Sequence, residues 1–288
     1  MPRKIEQRSD GVLRAMTEDG SFRIITICAT NTAQGVLDAQ GVGDEDDRRL
    51  VANLVVGAVL LREAMAPDYR LQAVLKHPIF GSVTADSFPE GQTRGLVQLP
   101  LDTPLELGDA THLTVIRAVH GGALHQGVVE TTAEGGVSQA LMTYLASSEQ
   151  VHSVIAVGSI FDETGRVVHA GGYLVQLLPG ADAEMLAVVI ARLERASAIE
   201  LLLERTLGAP EVLLHQLFGN IPHTILAENE VYYGCNCSEE RVATALATLS
   251  DDDLEELFAG DDEVSIDCDY CGKVYDIDRE AIDVQKNS

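Results

Sequence analysis

The chain has 288 residues, 46% of them hydrophobic, enough to bury a full core and to divide into one large domain and something smaller. Its formal charge of −25, from 20 Lys and Arg against 45 Asp and Glu, repels a phosphate backbone over most of the surface and argues against a nucleic-acid partner. The longest apolar runs, such as Leu54 to Leu61, are far too short to span a bilayer, and Met1-Pro2-Arg3-Lys4-Ile5-Glu6 has no apolar secretory core, so no membrane partner and a cytoplasmic location are expected.

Taken in chain order, Phe22-Arg23-Ile24-Ile25-Thr26-Ile27-Cys28 is β-branched and apolar on both faces, which predicts a buried strand with Cys28 as a small hydrophobe inside it. Asp44-Glu45-Asp46-Asp47 then precedes Leu50, Leu54, Ala58, Leu61 and Met65, a helical spacing with acids at the end where the helix dipole favours them. Tyr69 to Lys76, Gly95 to Leu99, Thr111 to His120 and Gly127 to Thr132 read as strands with Gly and Pro punctuation between them, and Val137 to Glu149 as an amphipathic helix. His152 to Phe161 and Arg166 to Leu178 form a hairpin pattern around Asp162-Glu163-Thr164-Gly165. These elements predict an α+β domain with a mixed sheet over residues 1–180.

From Ala181 to Gly208 the pattern turns helical and apolar, with Leu186, Val189, Ile190 and Leu193, then Ile199, Leu202, Leu203 and Leu207. Such a face must lie against something. It is either a packed connector or a surface kept covered until a neighbouring module lets go, and residues 181–230 are expected to be a helical linker. The remaining segment, 231–288, carries 16 acidic residues against Arg241, Lys273, Arg279 and Lys286, a net charge of −12. In it Ser238 is a candidate N-cap for a helix reaching about Leu249, Ser250 to Ala259 is a second helix with Asp251-Asp252-Asp253 as its acid-rich first turn, and Val264 to Asp267 and Val274 to Ile277 flank a tight turn.

Cysteine spacing dominates that segment. Cys235-Asn236-Cys237 and Cys268-Asp269-Tyr270-Cys271 are two close pairs 30 residues apart, and two tight turns supplying two thiolates each suit one tetrahedral Zn²⁺. The expectation is a small zinc-binding domain with Cys235, Cys237, Cys268 and Cys271 as ligands and one ion per chain. Two ordinary disulfides would need an oxidising compartment, to which nothing in the N-terminal residues directs the chain. Zinc with four thiolates carries a net charge of −2 among further acids, so the ion itself must keep the sulfurs deprotonated. A bound thiolate still reacts with peroxide, and a disulfide sulfur is a poor ligand; oxidation of one pair is therefore expected to release the ion and unfold residues 231–288, whose own core is small.

With these residues in view, the chain resembles the 33 kDa heat-shock protein family of redox-regulated holdase chaperones. The resemblance rests on Tyr232-Tyr233-Gly234-Cys235-Asn236-Cys237-Ser238 and Cys268-Asp269-Tyr270-Cys271-Gly272-Lys273-Val274-Tyr275. It extends to Asp19-Gly20-Ser21-Phe22-Arg23, Tyr144 to Gln150, Ala170-Gly171-Gly172-Tyr173-Leu174-Val175-Gln176 and Leu178-Pro179-Gly180-Ala181. Lys76-His77-Pro78-Ile79-Phe80-Gly81 departs from the family's more polar turn. The resemblance implies a reduced, zinc-bound, inactive form that on oxidation loses zinc and forms disulfides joining Cys235 to Cys237 and Cys268 to Cys271. It also implies disorder of the switch domain and linker, an active homodimer, and ATP-independent binding of unfolded or aggregation-prone client proteins.

Two rival readings remain in the residues. A zinc-ribbon nucleic-acid binder needs a basic face, which a charge of −12 denies. A thiol-disulfide oxidoreductase shares the Cys268-x-x-Cys271 spacing but needs a helix N-terminus in a βαβ setting. No catalytic residue is assigned: there is no Gly-x-x-x-x-Gly-Lys-Ser/Thr loop and no His-Glu-x-x-His, Ser138 in Gly136-Val137-Ser138-Gln139-Ala140 reads as a helix start, and the eight histidines are scattered. The chain reads as a non-enzyme.

Overall fold

The computed structural model describes residues 9–100, 107–108, 110–119, 122, 124–181, 183–194 and 198–286. The expected positions Met1 to Glu6 and His120, and the side chains of Leu186 and Ile190, lie outside the described residues. The chain divides into two compact units, 1–234 and 235–288.

The larger unit carries two sheets. In one, β10 (His223–Glu230), β1 (Gly11–Thr17), β2 (Phe22–Cys28), β9 (Val167–Leu177) and β8 (Ser153–Phe161) lie in that order, all antiparallel. The other runs β11 (Tyr232–Tyr233), β5 (Gln92–Gln98), β4 (Gly81–Ser87), β3 (Tyr69–His77), β6 (His112–Val119) and β7 (Leu124–Glu130). It is mixed because β11 joins β5 in parallel. Three helices pack against both sheets: α1 (Thr30–Gln40), α2 (Glu45–Glu63) and α3 (Gly136–Ser147). Three more follow β9 of the first sheet: α4 (Ala183–Glu194), α5 (Ile199–Thr206) and α6 (Pro210–Phe218).

Helix α2 is the spine of the core. Asp44 caps it, accepting hydrogen bonds from the amides of Asp46 and Asp47, as the acid run predicts. Beyond that turn it is apolar nearly all round, as a helix enclosed by protein must be, and Leu54, Val55, Leu60 and Leu61 pack with Ile25, Ile27 and Leu174 of one sheet and Leu71, Ala73 and Leu113 of the other. Gly57 lets α3 close in: a Cβ there would stand 2.5 Å from Leu141 Cδ1.

Strand β2 is buried on both faces, as its sequence predicts. Ile25 and Ile27 face the helices of the main core, while Phe22 and Ile24 join Leu13, Ala15, Tyr173 and Val175 in a second cluster. The lid on that second cluster is the segment after residue 180: Val189 of α4, Leu202 of α5, Leu213, Leu214, Leu217 and Phe218 of α6, and Ile221. The apolar helical face seen in the sequence is therefore packed. Thr26 Oγ1 donates to the carbonyl of Pro210 at 2.9 Å, and the Arg192 guanidinium donates to the carbonyl of Phe218, tying these helices to the sheet and to one another.

Several elements carry no strong sequence signal. Strand β10 is mostly exposed and buries no apolar face, so its sequence carries little strand signal; its pairing with β1 and an ion cluster hold it. In that cluster Glu63, fully buried, receives Asn229 Nδ2 at 3.1 Å, lies 3.4 Å from Arg14 Nε and pairs with Arg62. Strand β4 is built from small polar residues that hide its pattern, yet it pairs with both β3 and β5. The strand expected at Gly95–Leu99 begins earlier, at Gln92, and that expected at Gly127–Thr132 runs from Leu124 to Glu130, because partner strands rather than local propensity set their ends. Helix α1 owes its start to distant Asp10, whose buried carboxylate accepts from the amides of Asn31 at 3.1 Å and Thr32 at 2.6 Å, while its own N-cap, Ala29, offers no oxygen.

The smaller unit holds α7 (Glu239–Leu246), α8 (Asp251–Phe258), a hairpin of β12 (Glu263–Asp267) and β13 (Val274–Asp278), and α9 (Arg279–Lys286). Its buried apolar set is small: Ala243, Leu254, Phe258, Tyr275, Ile277 and Ile282.

Candidate metal centre

Each cysteine pair is placed by a separate local device. Cys235 and Cys237 lie in the extended stretch that leads into α7, where Ser238 accepts from the Arg241 amide and the Arg241 guanidinium donates to the carbonyl of Asn236 at 2.9 Å. Cys268 and Cys271 stand on the turn between β12 and β13. The Cys268 carbonyl accepts from the amides of Cys271 (3.2 Å) and Gly272 (2.7 Å), and the Cys268 amide donates to Lys273 at 2.9 Å. Gly272 sits at φ +67°, the left-handed region that lets the chain fold back without a Cβ penalty.

The two devices bring all four sulfurs together. No two Sγ atoms are more than 4.8 Å apart. Cys235 and Cys268 are separated by 3.8 Å, and Cys237 and Cys271 by 3.5 Å. A tetrahedral ion with metal–sulfur distances of about 2.3 Å, those of zinc, requires sulfur–sulfur edges of about 3.8 Å. The cluster fits that shell. Among the described residues it is the one group of His, Cys, Asp or Glu gathered closely enough to hold an ion, and none of the histidines joins it.

The chemistry of the donor set points the same way. Burial works against ionisation of Cys237, but hydrogen bonds from Tyr275 and the neighbouring thiols outweigh it and bring its pKa down to about 7. Burial pushes Cys271 up to about 12, with adjoining sulfurs adding to the rise, and it raises Cys268 as well. Adding negative charge to one sulfur makes the next harder to ionise, so four thiolates can coexist here only around a cation. Cys237 and Cys268 also pack against the small apolar core, so a bound ion and that core would support one another.

Cys28 is elsewhere, buried in β2 with Sγ 3.6 Å from Thr30 Oγ1 and 3.8 Å from Asp10 Oδ1; burial and the Asp10 charge raise its thiol pKa, which suits an inert packed cysteine. Ser138 lies in the first turn of α3, and its hydroxyl accepts from the Val157 amide at 3.0 Å, a structural role. The Cys268-x-x-Cys271 turn lies between antiparallel strands, not at a helix N-terminus. One partner went unseen in the sequence: Tyr275, seven residues beyond Cys268, donates its hydroxyl to Cys237 Sγ at 3.1 Å. The alternation of β13, which turns Tyr275 and Ile277 inward, was the signal that could have found it.

No helix among the described residues is long and apolar enough to cross a membrane. Residues 10–278 match the profile of the family described as Hsp33 protein. Curated relatives named 33 kDa chaperonin include those of Geobacter sulfurreducens, 30% identical with 97% of this chain and 96% of the relative covered, and Syntrophotalea carbinolica, 29% identical with 95% and 98% covered. The crystal structure of the 33 kDa chaperonin from Thermotoga maritima superimposes with a TM-score of 0.81 at 20% identity, over 97% of this chain and 98% of that one, and so shares the fold. A profile match through both sheets, the three helices after β9 and all four clustered cysteines establishes that this chain belongs to the Hsp33 family.

Proposed function

We propose that the protein is a redox-regulated, ATP-independent holdase chaperone of the cytoplasm, not an enzyme, which protects unfolding proteins from aggregation under oxidative stress. In the resting form Cys235, Cys237, Cys268 and Cys271 hold one zinc ion per chain, residues 231–288 act as the redox switch and 181–230 as the linker. Bound zinc supplies the positive charge that lets four deprotonated sulfurs share one site. The observation that carries the reading is the convergence of four thiols, all within 4.8 Å, in a unit with six buried apolar residues among those described.

Peroxide takes two electrons from each pair of thiols. A sulfur attacks the peroxide, giving a sulfenic acid; a second thiol displaces water and closes the disulfide, so two thiols and one peroxide yield one disulfide and two waters. The pairs joined are Cys235 with Cys237 and Cys268 with Cys271. Each sulfur then lacks the lone-pair basicity a metal needs, and the small core cannot hold the unit alone. Release of α4, α5 and α6 in turn uncovers Leu13, Phe22, Ile24, Tyr173 and Val175, the apolar surface on which unfolded clients and a second copy of the chain bind. The acidic switch segment gives nucleic acid no purchase.

The test follows metal release, free thiols and suppression of client aggregation together during peroxide treatment. One ion and four thiols lost per chain, with anti-aggregation activity rising in step and peptide mapping giving the two within-segment disulfides, is the expected result. Activity already full in the reduced, metal-loaded protein contradicts it.

A further inference from the structure

The four sulfurs do not share one environment. Tyr275 lies on β13, 7% exposed, its ring packed in the small core with Ile277 and Phe258 and its hydroxyl 3.1 Å from Cys237 Sγ. On the same ring rests the ammonium of Lys273, 4.6 Å from the centroid. Lys273 is itself built into the turn, since its carbonyl accepts from the Cys268 amide. The geometry thus sets a cation over an aromatic face and the hydroxyl of that ring against one sulfur.

Each contact has a chemical consequence. A hydroxyl donating to a thiolate draws charge from the sulfur, and hydrogen-bond donors to a metal-bound ligand tune it. A cation over the ring face draws π density toward itself, which polarises the O–H bond and strengthens the donor. A sulfur with less available charge attacks peroxide more slowly.

We propose that Tyr275, with Lys273 over its ring, is a positioning residue that damps the reactivity of Cys237 and so sets the oxidant level at which the centre opens. The inference rests on the redox reading above. A charge-assisted hydrogen bond shifts an equilibrium by roughly ten- to a hundredfold. Carried through a Brønsted slope of about 0.4–0.5, that becomes roughly three- to tenfold in the rate of oxidation.

The experiment uses the full chain, loaded with Co²⁺ for spectroscopy and with Zn²⁺ for kinetics. Tyr275→Phe keeps the ring and removes only the donor. Its sulfur-to-cobalt charge-transfer band is expected at longer wavelength than that of the unsubstituted chain, because a sulfur without the hydrogen bond releases an electron more easily. Its zinc form is expected to lose thiols to peroxide three- to tenfold faster. Lys273→Met, at an exposed position, is expected to move both readouts in the same direction by less, and it decides the matter if the Phe variant binds no metal. An unshifted band in Tyr275→Phe with an unchanged rate overturns the proposal. So does slower oxidation, which would make the hydroxyl a proton donor to the leaving hydroxide. The cobalt band reports the hydrogen bond without reference to chaperoning. Failure of the redox reading shows instead as oxidised, unsubstituted protein that gains no anti-aggregation activity.

Discussion

The two units of this chain achieve stability by different means. Residues 1–234 bury a core in which α2 packs against two sheets, and a second apolar cluster under α4, α5 and α6. Residues 235–288 bury six apolar side chains beside four thiols and carry strong negative charge. Burial on the first scale suffices for a domain; on the second it leaves little to hold a segment of this size. Under the proposed function the first is a fixed body and the second a conditional one, whose small core leaves its stability to oxidisable sulfur ligands.

Removing the sulfurs should widen the gap between the two units most. Replacing Cys235, Cys237, Cys268 and Cys271 together with Ser takes away the proposed metal site, and such a site contributes on the order of 10 kcal/mol in small metal-folded modules. Amide resonances of 235–288 are expected to collapse into the unfolded region of an NMR spectrum while those of β2, β9 and α2 stay dispersed. Phe218→Ala probes the other unit. Phe218 is fully buried under the outer face of the first sheet, and truncating such a side chain costs about 3–5 kcal/mol. Denaturant unfolding should show that loss in the larger unit, with metal stoichiometry unchanged. The smallest effect is expected from Ser250→Ala. Ser250 caps α8 by accepting from the Asp253 amide at 3.2 Å, and a lost cap costs about 1 kcal/mol. Because the smaller unit has little stability to spare, the expected sign is faster metal transfer to a chelator, with unit 1–234 unfolding at the same denaturant concentration as before.

What was legible in the sequence follows from the range of the interactions. The two cysteine pairs could be read because ligand spacing within a turn is local. Helix α2 could be read because its acid start and apolar periodicity lie within twenty residues, and β2 because its apolar residues leave neither face for solvent. The apolar face after residue 180 was visible as a face, but whether it was packed could not be told without the opposing Phe22, Ile24 and Tyr173. Strands β4 and β10 escaped notice because neighbours, not their own side chains, define them. Three features depend on residues far apart in sequence: the Asp10 cap on α1, the Arg14–Glu63–Arg62–Asn229 cluster, and the Tyr275 hydroxyl on Cys237. Each joins residues whose types are unremarkable until the fold brings them together.

In the proposed switch, thiol oxidation converts the smaller unit, and then the helices after β9, from folded to unfolded. Residue-resolved hydrogen exchange of the full chain, before and after stoichiometric peroxide, tests it directly. Amides of 235–288 are expected to lose protection as the metal leaves and those of α4, α5 and α6 to follow, while β2 and α2 remain protected throughout. Unchanged protection of 235–288 in protein whose four thiols have been oxidised would contradict it.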